Sequence, residues 1–150
     1  MVGRTRLQKI AYLLVECGFE DSIPFSYRHY GPYSEDLAEA ARNAGLLGII
    51  NEEERMASWG GVYSIFSTEI TGIEDITRSN FARTAAEADA VELELAATAL
   101  FLSREGHSDP WGETARRKPE KAALGRLDRA MTLYRRLAGL ETPVQLPPIA

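Results

Sequence analysis

Cys17 and His29 are the first residues in this chain whose types could do chemistry. A thiol and an imidazole make a nucleophile and its base when they lie in hydrogen-bond reach and a third group orients the ring. Cys17 closes the apolar run YLLVEC, however, and a cysteine at the end of such a run reads as an inert, buried side chain. Metal chemistry has equally little to build on. His29 and His107 are the two histidines, 78 positions apart, and one cysteine cannot complete a zinc set. HSDPWGE gathers His107, Asp109 and Glu113, but the pattern fits a turn and a helix cap better than a ligand set. Carboxylates pair at Glu52-Glu53-Glu54, at Glu74-Asp75 and at Glu92 and Glu94, where acid–base work would need an apolar pocket to separate two pKa values. The sequence carries no phosphate loop, dinucleotide fingerprint or nucleophile elbow. The reading is a protein without catalytic residues, metal or cofactor.

What remains is the chemistry of binding. Residues 26–37, SYRHYGPYSEDL, place Tyr27, Arg28, His29, Tyr30 and Tyr33 within seven positions. Tyrosine and arginine are the residue types that dominate interface energetics. A second segment, ARRKPEK, supplies Arg116, Arg117, Lys118 and Lys121. These nine residues are the candidate partner contacts. Two plainer readings stand beside them. At least one tyrosine, Tyr30 first, is expected in the core, and the basic run could be neutralised internally by Glu87, Asp89, Glu92 and Glu94.

The elements that position these residues follow from spacing. Thr5-Arg-Leu-Gln8 has the form of a capping box, and Leu7, Ile10, Ala11 and Leu14 continue it as a helix over about 6–17. Residues 19–33 read as irregular, punctuated by Pro24, Gly31 and Pro32. Ser34 predicts an N-cap, with Glu35 and Asp36 favouring the positive end of the helix dipole and Gly45 as its stop. The Gly60-Gly61 pair and VYSIFST predict a small β-hairpin, or wing, over about 48–70. Thr84-Ala-Ala-Glu87 predicts the start of a central helix over about 85–105. Residues 107–118 read as a connection, with one helical turn begun at Asp109-Pro110. A last helix runs from Pro119 to Gly139. The fold class is mainly α: a single compact domain, 1–139, of four or five helices with a small β-hairpin and a winged-helix-like N-terminal half. A Pro-rich extended tail over 140–150 is expected to be loose.

Bulk properties agree. A chain of 150 residues, 45% hydrophobic and 26% charged, can bury a core without disulfides or metal. The N-terminal run is broken by Gln8, Lys9 and Glu16, so it reads as neither leader nor membrane span, and a cytoplasmic protein is expected. The formal charge of −5 is unevenly spread: residues 51–113 carry −9 and residues 114–150 carry +5. A nucleic-acid-binding regulator of winged-helix type is the alternative function. Its recognition helix would begin with Glu35, Asp36 and Glu39, which oppose phosphate attraction. The sequence is also compatible with a homo-oligomer.

Three segments, GRTRLQKIAYLL, FSYRHYGPYSEDLAEAARNAGLLGII and ELAATALFL, together resemble the SocA/Panacea antitoxin-domain superfamily, and within it the YwgA-like group of uncharacterised prokaryotic proteins. The likeness is carried by Leu7, Gln8 and Lys9, then by Tyr27, Tyr30, Gly31, Pro32, Tyr33, Ser34 and Leu37, and by Gly45 to Gly48. It covers most of residues 3–137, and its specific part is Tyr-Gly-Pro-Tyr-Ser. The resemblance implies a mostly helical domain that works by protein–protein contact. In antitoxin members the domain neutralises a partner toxin, whereas the YwgA-like likeness implies no activity.

Overall fold

The computed structural model describes residues 1–69 and 75–150. The apolar spacing after Leu7 forms α1, Arg4–Glu16, which turns Ile10, Ala11, Leu13 and Leu14 into the core. Its cap differs from the sequence expectation. The N-cap is Gly3, which has no side chain to accept a bond; Thr5 lies inside the helix, and Gln8 bonds the Ser34 backbone instead. The segment read as irregular contains a short antiparallel hairpin of β1, Ser26–Arg28, and β2, Gly31–Tyr33, with Tyr27 opposite Pro32 and Arg28 opposite Gly31. Ser34 caps the following helix as expected, its Oγ accepting from Leu37 N, and α2 runs Glu35–Leu46.

The expected wing forms from β3, Asn51–Met56, and β4, Val62–Ser67, paired antiparallel; its last expected residue, Ile70, lies outside the described residues. The N-terminus extends this sheet along the other edge of β4. Val2 bridges Ile65, Phe66 N donates to Met1 O at 2.8 Å and Gly3 N donates to Ser64 O at 2.7 Å. The rest of the described chain is α3 (Ile76–Glu87), α4 (Ala90–Arg104), α5 (Pro110–Arg117), α6 (Pro119–Ala122) and α7 (Arg126–Ala138).

Mainly α is therefore correct, but the described residues hold seven helical segments rather than four or five. Three local causes account for the difference. First, α3 starts at Asp75, whose carboxylate accepts from Thr77 N and Arg78 N; Glu74, its neighbour in sequence, lies outside the described residues. The supposed capping box at Thr84 lies inside that helix, where the Thr84 hydroxyl donates to Asn80 O. Ala88 is extended, and Asp89 caps the central helix by accepting from Val91 N and Glu92 N. Second, Asp109-Pro110 starts a full helix rather than one turn. Third, Leu124 (φ 58°) and Gly125 (φ 75°) both sit in the left-handed region and break the last helix in two. The helix–turn–helix–wing order has its two-stranded wing, but the segment expected as an irregular turn between α1 and α2 contains the β1–β2 hairpin.

Helix α4 is the axis of the core: Leu93, Leu95, Ala96, Ala97, Ala99, Leu100 and Leu102 are all buried. α1, α3, α5, α7 and strand β2 pack around it or around each other. The Pro-rich tail is extended but not loose. Leu146 is buried, Val144 N donates to Cys17 O at 2.9 Å, and the Tyr134 hydroxyl donates to Pro147 O.

Candidate functional site

The β1–β2 hairpin is fixed to the body by three side chains. Gln8, on α1, makes a reciprocal pair with the Ser34 backbone: Ser34 N donates to Gln8 Oε1 at 2.8 Å, and Gln8 Nε2 donates to Ser34 O at 2.9 Å. The next residue, Lys9, is 1% exposed and donates its Nζ to Pro32 O at 2.6 Å. From the opposite side Lys118 donates to His29 O at 2.8 Å, across 89 positions of sequence. These bonds give Leu-Gln-Lys and Gly-Pro-Tyr-Ser a common purpose. One motif supplies the donors and acceptors that hold the other's backbone.

Gly31 completes the fit. Its φ is +86°, and an added Cβ would lie 2.6 Å from Thr98 Oγ1 in the middle of α4. Only glycine lets the hairpin approach α4 this closely. Thr98 Oγ1 itself is buried without a hydrogen-bond partner.

Under the hairpin lies Glu94, 3% exposed. Its carboxylate accepts from Lys118 Nζ at 2.8 Å, and both of its oxygens accept from Lys121 Nζ at 2.8 Å. Lys9 is close enough to feel the same charges. Burial pushes its ammonium down to about 8, with Glu94 opposing that shift and Lys118 and Lys121 reinforcing it. Internal neutralisation of the basic run is therefore real, and Arg129 extends it by donating to Glu92 at 2.6 Å. Arg116 and Arg117 both donate to Glu113, which pulls that carboxyl down to about 2, the Arg117 bond contributing most.

The two sequence-predicted segments meet. Tyr27, His29, Arg117, Lys118 and Lys121, with Pro119 and Glu120, line one open groove of about 550 Å³. The Arg117 guanidinium lies 4.9 Å from the Tyr27 ring centre, and Lys121 Nζ lies 4.5 Å from that of Tyr30. Tyr27 is backed by Phe101 at 5.9 Å, and the His29 ring meets Tyr30 edge-on at 4.8 Å.

Three residues behave differently from expectation. Tyr30 is not core but 53% exposed, because it occupies the hairpin turn; the buried tyrosines are Tyr12 and Tyr134. Lys118 is buried and holds the hairpin, so its ammonium is not presented at the surface. Arg116 is turned onto Glu113 and does not line the groove. Arg28 and Tyr33 fall on the other face of the hairpin by the two-residue alternation of strands, where they stack at 5.7 Å and Arg28 meets Glu35 at 3.5 Å. A second cleft, of about 240 Å³, is lined by Tyr30, Lys9, Tyr33, Ala38, Ala41 and Phe66 among others.

Sequence reasoning missed Gln8 and Lys9 as site-building residues and took Glu94 as one of a carboxylate pair and as part of an acidic face. A signal for the first two was present, since Leu-Gln-Lys belonged to the motif, but nothing local gave their partners. Cys17 is buried and its thiol is pushed up to about 12 by that burial, which makes it a poor nucleophile. Among the described residues no three His, Cys, Asp or Glu side chains are grouped to hold a metal ion, and no helix is long and apolar enough to cross a membrane. Comparison with protein-family models, curated proteins and solved structures finds no match to this chain.

Proposed function

We propose that this chain is a non-enzymatic protein-interaction domain whose contact surface is the tip of the β1–β2 hairpin and the groove beside it. One observation carries the reading: Tyr30 stands 53% exposed on a turn whose flanking backbone is fixed by Lys9, Gln8 and Lys118. A large side chain held out on a rigid backbone loses little freedom on binding, which is where affinity is gained. Tyr27, Arg117 and Lys121 surround it with the residue types that interface hot spots favour. The likeness of the motif to antitoxin domains supports a toxin, or a subunit of a defence or regulatory complex, as the partner. A nucleic-acid reading is weaker, since the helix it would place in a groove opens with Glu35, Asp36 and Glu39.

The test is affinity capture from the native host with wild type, Tyr30→Ala and Tyr27→Ala/Tyr30→Ala as baits, each checked for folding by circular dichroism. A protein retained by wild type and lost from both variants is the expected result. Equal retention by all three baits would remove the hairpin tip as the contact surface.

A further inference from the structure

The 240 Å³ cleft lies where four elements meet: α1, the β1–β2 hairpin, α2 and the wing all contribute to its lining. It exists because α2 sits loosely on the body. Among the described helices of eight residues or more, α2 alone has no buried residue, and its least exposed face, Leu37, Ala38, Ala41 and Ala44, is only half-buried. Ala38 and Ala41 leave space that larger side chains would fill, and Leu7 and Phe66 complete the apolar lining.

The charged lining is one-sided. Arg4, Lys9 and Arg42 share the cleft with a single carboxylate, Glu52. Glu52 is engaged, accepting from Arg4 at 2.8 Å and from the Ser64 hydroxyl at 2.6 Å. Lys9 and Arg42 make no ion pair with any described residue, Glu39 one turn before Arg42 included. Lys9 is the more telling of the two, because it is 1% exposed and buried charges are ordinarily paired. Its ammonium has three N–H groups, and among the described residues its one acceptor is the Pro32 carbonyl. The carboxylate below it, Glu94, is already shared by Lys118 and Lys121. An unpaired arginine at the surface would carry no weight alone. Beside a buried ammonium that lacks a counter-ion, on an apolar cleft, Arg42 gives the site its second cation.

Such a lining fits an anion with an apolar body. The cleft is smaller than the roughly 300–1,000 Å³ of drug-sized sites, which limits that body to about a dozen non-hydrogen atoms. We propose that the cleft under α2 binds a small organic acid, its carboxylate held by Arg42 and neutralising Lys9, its apolar body against Ala38, Ala41, Leu7 and Phe66. This site goes beyond the hairpin contact surface and does not rest on it.

The probe is 4-phenylbutyrate, titrated into the full chain and followed by amide chemical shifts. Its neutral amide keeps the body without the charge, and inorganic phosphate has charge without the body. The acid is expected to bind at about millimolar concentration, as suits so small a ligand, and to shift amides of residues 5–9, 38–42 and 66. The amide and phosphate are each expected to bind at least about tenfold more weakly. Arg42→Gln, an exposed position that keeps the fold, is expected to weaken the acid at least about tenfold. Ala41→Phe is expected to fill the cleft and abolish the shifts. Arg42→Gln used as a capture bait is expected to retain the protein held by the hairpin tip, so the two readings fail separately. Four results would overturn the proposal: no shift at about 10 mM acid, binding of the amide or phosphate equal to the acid, equal affinity in Arg42→Gln, or a dimer in sedimentation that Ala41→Phe disperses.

Discussion

Replacing Gly31 with alanine tests the hairpin's seat at a single atom. Two costs add. At φ +86° an L-residue pays about 1–2 kcal/mol for the left-handed region. The new Cβ would sit 2.6 Å from Thr98 Oγ1, on a fully buried residue of the central helix, and overpacking of this kind costs about 1–3 kcal/mol. The sum, about 2–5 kcal/mol, is a large part of an ordinary domain's stability. Thr98 separates the two terms. Thr98→Ala removes the clashing oxygen, which has no hydrogen-bond partner to lose, so Gly31→Ala/Thr98→Ala should recover the steric part and keep only the dihedral part. Thr98→Val replaces the hydroxyl with a methyl of similar size and should recover nothing. The measurement is equilibrium unfolding in urea followed by far-UV circular dichroism, with a double-mutant cycle for each pair. A Gly31→Ala cost below about 1 kcal/mol, or equal rescue by valine and alanine at position 98, would refute the steric account.

Two further predictions concern the charges beneath the hairpin. Glu94→Gln removes the one carboxylate that Lys118 and Lys121 share and should cost about 3–5 kcal/mol in the same unfolding experiment, against well under 1 kcal/mol for Glu120→Gln on the surface. Stability should also rise with pH in a defined window. Lys9 is pushed down from 10.5 to about 8 by burial, so above pH 8 the folded chain has shed a proton that the unfolded chain still holds, and stability increases. Cys17 acts in the opposite sense, since its thiol is raised from 9.0 to about 12 and the folded chain keeps a proton that the unfolded chain loses above pH 9. Between pH 7 and pH 9 the lysine dominates, and the net gain is about 1 kcal/mol. Urea midpoints across that range should show the rise in wild type and not in Lys9→Met; a flat wild-type profile would mean that Lys9 is not buried in its charged form.

The sequence was legible where structure is local. Ser34 caps α2 because its hydroxyl reaches an amide three residues on, and the wing follows from a Gly-Gly turn ahead of the strand-forming VYSIFS, which pairs with NEEERM. It was illegible where a local signal meets a competitor. Thr84 and Glu87 have the form of a capping box, yet Asp89 offers a stronger cap five residues after Thr84, and the threonine bonds back into its own helix instead. Nothing in AALGRL announces that Leu124 will adopt a left-handed conformation. The same division runs through the site. Tyrosines and basic residues were each visible as clusters, but their meeting depends on Glu94 and on partners 24 and 27 positions away, and one sequence shows charges without showing their pairs.

The motif itself divides by direction. Gly31, Pro32 and Ser34 face the body, with backbone groups bonded or packed against α1 and α4; His29 and Tyr30 face solvent, with Tyr27 half-buried between. The lysines divide the same way. Lys9 and Lys118 end on carbonyl oxygens of the hairpin, a use that suits a compact ammonium on a flexible stem better than a planar guanidinium. Lys121 bridges the two roles, bonding Glu94 below and stacking on Tyr30 above. Glu94 thus couples the core to the surface. Through Lys118 it fixes the His29 carbonyl, and through Lys121 it fixes the ring of the residue beside it. A partner that buried Tyr30 would also desolvate the Lys121–Glu94 pair and strengthen it, since the attraction between two charges grows as water is excluded.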